Sequence, residues 1–278
     1  MNAGLSKVSE WKLINFICNL RIHQIPSLLL YLVCAFVFLF LVAPIFVVVP
    51  ISFSSAKFLQ FPPPGFSLQW YENYFGSQEW MSATWISFQT AFLTSLLATC
   101  LGTIMAFAVI RGKFLGKNFI YALGVSPMII PHIISAIAIY FFFSRLHLVG
   151  TIPGIVAAHT ILAIPFVLVL VITTLKRFDE TLERASLSLG ASPLKTFWYV
   201  TLPIIRPGVV SGALLAFIVS FDEVIVVIFI AGTKAVTLPK RMWDGIRLEI
   251  DPTIAAVAAL LIALSIFTMV GLSFLKKD

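Results

Sequence analysis

Charge is scarce in this chain. Asp, Glu, Lys and Arg make up 11% of its 278 residues, against about 25% in an ordinary soluble domain. Hydrophobic residues reach 60% and mean hydropathy is +1.02. Too little polar surface remains to cover a globule in water, so the solvent for most of the chain is lipid. Cysteine is limited to Cys18, Cys34 and Cys100. The first lies in the N-terminal segment and the others inside apolar runs, which argues against a disulfide framework. No His/Cys group has metal-ligand spacing, and no Ser, His and Asp converge at catalytic spacing. A phosphate loop of the form Gly-x-x-x-x-Gly-Lys-[Ser/Thr] is also missing. Gly112 to Asn118 resembles one faintly, but its spacing is wrong and Asn118 stands where Ser or Thr belongs. Any nucleotide hydrolysis that serves this protein is therefore expected on another subunit.

What is present is a series of long apolar runs. A span needs roughly 20 such residues, and six segments qualify: about 28–51, 86–110, 119–143, 153–175, 208–231 and 254–275. The first is too long for a signal-peptide core and has no small-residue cleavage site after it, so it is expected to be retained. Pro127 and Pro131 in the third run, and Pro165 in the fourth, predict kinks. The expected organisation is an N-terminal segment 1–27, one all-α six-helix bundle over 28–275, and a tail 276–278.

The net charge of +7 reflects orientation rather than affinity for nucleic acid, because the basic residues sit in short loops. An even number of spans puts both termini on one side. That side holds Lys7, Lys12, Arg21, Arg111, Lys113, Lys117, Lys176, Arg177, Arg184, Lys195, Arg206, Lys276 and Lys277. The other holds Lys57, Arg145, Lys234, Lys240, Arg241 and Arg247. The positive-inside rule makes the first side, with both termini, cytoplasmic. Outside, a loop from about 52 to 85 carries Pro62-Pro63-Pro64-Gly65, a turn or extended stretch. An aromatic segment with Trp70, Tyr71 and Tyr74 follows it and is expected to lie at the membrane interface. A second outer loop, about 232–252, mixes Lys240, Arg241, Asp244, Arg247, Glu249 and Asp251.

The inner segment 176–207 is the outlier, because the loop between the second and third runs has only about eight residues. Leu182, Ala185, Ser186 and Leu189 share a helical face. Asp179, Glu180 and Glu183 complement the dipole at that helix's start. Gly190 is placed to end it, with Pro193 beyond. A second amphipathic piece, Lys195 to Pro203, leads back to the membrane.

Gly190, nine residues, then Val200-Thr201-Leu202-Pro203 resembles the Glu-Ala-Ala loop of binding-protein-dependent ABC import permeases. Arg184 stands at the glutamate position of that pattern, with Glu183 one place earlier and Ala185-Ser186 for Ala-Ala. Within the family the likeness is closest to spermidine/putrescine-type permeases, on Ser220-Phe221-Asp222-Glu223-Val224, Leu238-Pro239 and the Phe66 to Tyr71 element. Ferric-ion, thiamine, opine and phosphonate systems share parts of the pattern. The resemblance implies a type I importer fold and a bacterial inner-membrane location. It further implies a second homologous permease, two ATPase subunits that hold ATP and Mg, and a periplasmic solute-binding protein. This chain itself would carry no cofactor and catalyse no reaction. Glu183, Arg184, Ala185, Ser186, Gly190, Ala191, Ser192 and Pro193 become the expected ATPase-coupling residues, and a polyamine or similar small cation the expected solute. Spans three to five would line its path.

Asp222 and Glu223 are the only acids inside the six runs, and each costs about 2.5–3.5 kcal/mol at a helix centre on insertion scales. Neighbours on a helix point about 100° apart, so both face one path only if the helix breaks there. Two readings stay open. One is a path or gate built on Asp222, Glu223, Ser220 and Phe221; the other is a local capping box, Ser220-x-x-Glu223, at such a break. His132 and His159 are expected in helix packing. An ion-coupled secondary transporter is the rival class, but residues 28–143 and 153–275 show no internal duplication.

Overall fold

The computed structural model describes residues 27–248 and 252–275. Apart from Ser27, the expected N-terminal segment lies outside the described residues, as do Glu249, Asp251 and the tail 276–278. Among the described residues there is no strand, only an isolated bridge between Ser54 and Phe66. Twelve α-helices follow one another: α1 (Ser27–Ser52), α2 (Gln69–Gly76), α3 (Gln78–Arg111), α4 (Lys117–Ile129), α5 (His132–Arg145), α6 (Ile152–Arg177), α7 (Glu180–Ser188), α8 (Pro193–Thr196), α9 (Leu202–Phe221), α10 (Ile225–Ile230), α11 (Leu238–Leu248) and α12 (Thr253–Leu275).

Two compact units emerge, residues 1–70 with 255–278, and residues 71–254. In the first, α1 is apolar all round. Phe36, Phe38, Leu39 and Phe40 are each more than 60% exposed, as expected of side chains bathed in hydrocarbon. The loop after α1 is closed on itself. Ser55 N donates to Gly65 O at 3.0 Å and Ser67 N to Phe53 O at 2.7 Å. Trp70, expected at the membrane interface, donates its indole N–H to Ser54 O at 2.8 Å.

In the second unit α6 is the central element, with Val167, Leu168, Val171 and Leu175 fully buried. It packs against α3 and α9 through small residues, because van der Waals contact rather than water exclusion drives helix association in lipid. A Cβ on Gly208 would lie 1.9 Å from Thr174 Oγ1, and one on Gly102 would lie 2.8 Å from Val167 Cβ. A second core joins Ala136, Ile139 and Phe143 of α5 to Ile155 and Ala158 of α6 and Val226, Val227 and Ile230 of α10.

Among the described residues, four helical stretches are long and apolar enough to cross a membrane: Leu29–Ser52, Gln78–Arg111, Ile152–Arg177 and Pro193–Phe221. The span expected at 119–143 is divided, since α4 and α5 meet at 110°. The reason is Pro131, which lacks an N–H and holds Ile130 extended at φ −77, ψ 130. Pro127 and Pro165, by contrast, lie inside continuous helices. The span expected at 208–231 is divided too, ending at Phe221 and resuming as the short α10. With α4–α5 taken as one bent span the number is five. The apolar stretch Thr253–Phe267 of α12 is shorter than the others. The expected inner loop 176–207 is also shortened, because α6 runs to Arg177 and the helical path to Phe221 begins at Pro193.

Candidate functional site: a docking segment and a broken helix

The segment between α6 and α9, expected on the inner side, is built from caps. Asp179 opens α7, accepting from Thr181 N at 2.9 Å and from the Thr181 hydroxyl. These two bonds hold its carboxyl below the ordinary range. Gly190 closes the helix at φ +87. Its N–H reaches Leu187 O at 3.0 Å and Ala191 N reaches Ser186 O at 3.2 Å, the paired bonds of a Schellman cap. Ser192 then caps α8 by accepting from Lys195 N at 3.3 Å, with Pro193 as the first helical residue. Phe197–Thr201 form a π-helical turn, in which Leu202 N reaches back to Phe197 O. This wider turn admits Pro203, which has no N–H to offer.

No residue of α7 is buried. Leu182 and Leu187 are about half exposed and Leu189 is 89% exposed, alongside the exposed Arg184 and Ala185. Arg184 pairs with Glu180 at 3.3 Å. Glu183 and Ser186 turn the other way, toward this chain. Thr201 Oγ1 donates to Glu183 Oε1 at 2.9 Å, and Ser186 Oγ lies 3.0 Å from Thr196 Oγ1. Arg111, the last residue of α3, meets Glu180 and also Glu183, the latter at 3.1 Å, and sits 5.6 Å from the Phe178 ring centroid. Sequence reasoning placed Arg111 only as a loop charge. Its pairing across 69 residues has no local signal beyond a lone Arg and a nearby acidic helix start.

The second cluster lies where α9 ends. Asp222 is its C-cap, with its N–H still bonded to Ile218 O, and its side chain is exposed. Phe221 stacks on Phe217 at 5.9 Å, and Phe217 meets Phe88 edge-on at 5.6 Å. Glu223 is 7% exposed and points back into the chain. Its Oε1 accepts from Val226 N at 3.0 Å, and its Oε2 lies 3.4 Å from His132 Nδ1. Ser220 does not complete a reciprocal box with Glu223. It is buried and its hydroxyl lies 2.8 Å from His159 Nδ1. His132 begins α5, so the Glu223–His132 contact joins the two breaks in the helical scaffold. No group of three or more His, Cys, Asp or Glu suited to a metal occurs among the described residues.

The described residues thus form a helical scaffold with stretches apolar enough to cross a membrane, a capped segment between α6 and α9, and two interrupted helices. Residues 24–277 match the family of binding-protein-dependent transport system inner membrane components, and the chain belongs to that family. It is thus a permease component of an ABC importer, a transport protein of the inner membrane and not an enzyme. It is 33% identical over 251 residues to the putrescine transport system permease protein PotI of Escherichia coli K12, covering 88% of each chain. It is 31% identical over 234 residues to the spermidine/putrescine transport system permease protein PotC of Haemophilus influenzae, covering 84% of this chain and 91% of that one. The fold is similar to a solved bacterial ABC transporter involved in import of the acidic polysaccharide alginate. That match has TM-score 0.70 and 15% identity, over 91% of this chain and 97% of the other.

Proposed function

We propose that this chain and a second homologous permease form the path for a polyamine or similar small cation. Two ATPase subunits carrying ATP and Mg bind below the permease pair, one of them docking on the cytoplasmic α7–α8 segment of this chain, and a periplasmic binding protein delivers the solute from outside. The observation that carries the solute class is Asp222. An acid at a helix C-terminus faces the partial negative charge of the last carbonyls, an arrangement unfavourable for the protein alone. The same carboxylate and carbonyls suit an incoming ammonium, and Phe217 and Phe221 offer it aromatic faces. The likeness to putrescine and spermidine/putrescine permeases points the same way.

The test is uptake of radiolabelled putrescine and spermidine by the complete complex in proteoliposomes, with molybdate and an amino acid as controls. The reading requires ATP-dependent, saturable uptake of a polyamine and none of the anion. Uptake of the anion alone would refute the cation assignment.

Orientation has its own test. In a chain freed of its native cysteines, Ser192→Cys should react with an impermeant thiol reagent only from the cytoplasm, and Ser77→Cys only from outside. The basis is the cytoplasmic excess of Lys and Arg. Labelling of both positions from one side shows that the number of crossings between them is even, against this topology.

A further inference from the structure

We infer that Arg111 is the positioning residue that ties the docking helix to the membrane scaffold, so that a movement of α7 is delivered to α3 and α9 together. The inference rests on the importer reading above.

The geometry is specific to this role. Arg111 closes the 34-residue α3, the longest helix described. Its guanidinium lies against two carboxylates one turn apart on α7, hydrogen-bonding Glu180 through Nη1 and placing Nε 3.1 Å from Glu183, a planar two-point reach that a compact ammonium does not match. The guanidinium lies near the Phe178 ring, which is itself buried, so the fork is pre-set. Glu183 is shared: one oxygen faces Arg111, and the other accepts from Thr201, buried in the turn that enters α9. A second bond, Ser186 to Thr196, ties α7 to the same strut. The docking helix is therefore fastened along one side to both the end of α3 and the start of α9. Its opposite side is left to Arg184 and the exposed leucines. A lever needs such a fixed arm: with α7 free at its inner side, a push from an ATPase would tilt it without moving the spans. The fork is half-shielded, the Arg111 and Glu183 side chains being 19% and 18% exposed, so salt screens it less than a surface pair.

The experiment compares solute imported per ATP hydrolysed in the reconstituted complex. Arg111→Met keeps the stem over Phe178 and removes the fork; it should lower that ratio by roughly 5- to 10-fold while the subunits still co-purify. Arg111→Lys should recover part of the loss. Glu180→Gln with Glu183→Gln should reproduce it, and adding Arg111→Met to that pair should cost nothing further. A purely structural role would instead lower complex yield, hydrolysis and uptake in proportion. That proportional loss, or a parental ratio in either the Met or the double-Gln variant, overturns the inference. Should Arg111→Met fail to assemble, the double-Gln variant decides alone. A parental complex with no solute-dependent hydrolysis refutes the importer reading itself, a result distinct from a normal parental complex with unaffected variants.

Discussion

Asp222→Asn is expected to cut the initial uptake rate by about 10-fold or more, equivalent to about 1.4 kcal/mol or more of lost stabilisation along the path. Asn keeps the shape and is tolerated at a helix end, so the change isolates the charge. The side chain is exposed from this chain's own core, and removing it leaves no buried partner unsatisfied. Glu223 is the internal control. It is buried, caps α10 through Val226 N and meets His132. Glu223→Gln should therefore lower the yield of assembled complex more than it lowers uptake per complex. The measurement is initial uptake normalised to purified complex. Parental transport by Asp222→Asn would refute a role for this carboxylate in the solute path, make it structural, and remove the ground for a cationic solute.

Gly190→Val should uncouple the complex, with solute-stimulated ATP hydrolysis and uptake both falling by about 10-fold. At φ +87 nothing lies within 4 Å of an added Cβ, so no clash is involved. The penalty is in the backbone. An L-residue in the left-handed region costs about 1–2 kcal/mol, and a β-branched one is the least suited to it. The cap would reopen and release the bonds that Gly190 and Ala191 return to Leu187 and Ser186. Helix α7 would then lose its defined end before α8. The series should rank by tolerance of positive φ, with Asn mildest, Ala intermediate and Val worst. Equal behaviour of Asn and Val would show that the backbone angle is irrelevant. Normal hydrolysis and uptake in Val would refute a coupling role for this cap.

Much of this protein was legible in its residues. Composition alone called for a membrane interior. Gly190 with Pro193 marked the end of α7, whereas the adjacent acids Asp222 and Glu223 only raised the question of a break in a run read as one span. Each of these rests on local rules: hydropathy over a span, glycine's freedom at positive φ, the cost of charge in hydrocarbon. Breaks were harder to grade. Pro127, Pro131 and Pro165 look alike in sequence, yet only Pro131 divides a helix by 110°, because neighbouring helices decide where a lost backbone bond can be tolerated. The capping box at Ser220 had the right spacing, but the packing of α6 against α9 sets His159 beside Ser220 and leaves Glu223 to cap α10. Likewise Pro203 reads as a boundary, while the π-helical turn carries the chain past it into α9. The pairs that unite the site, Arg111 with Glu180 and Glu183 and His132 with Glu223, lie 69 to 91 residues apart. Periodicity and propensity carry no information over such distances. Only the mutual packing of the helices brings those charges into contact.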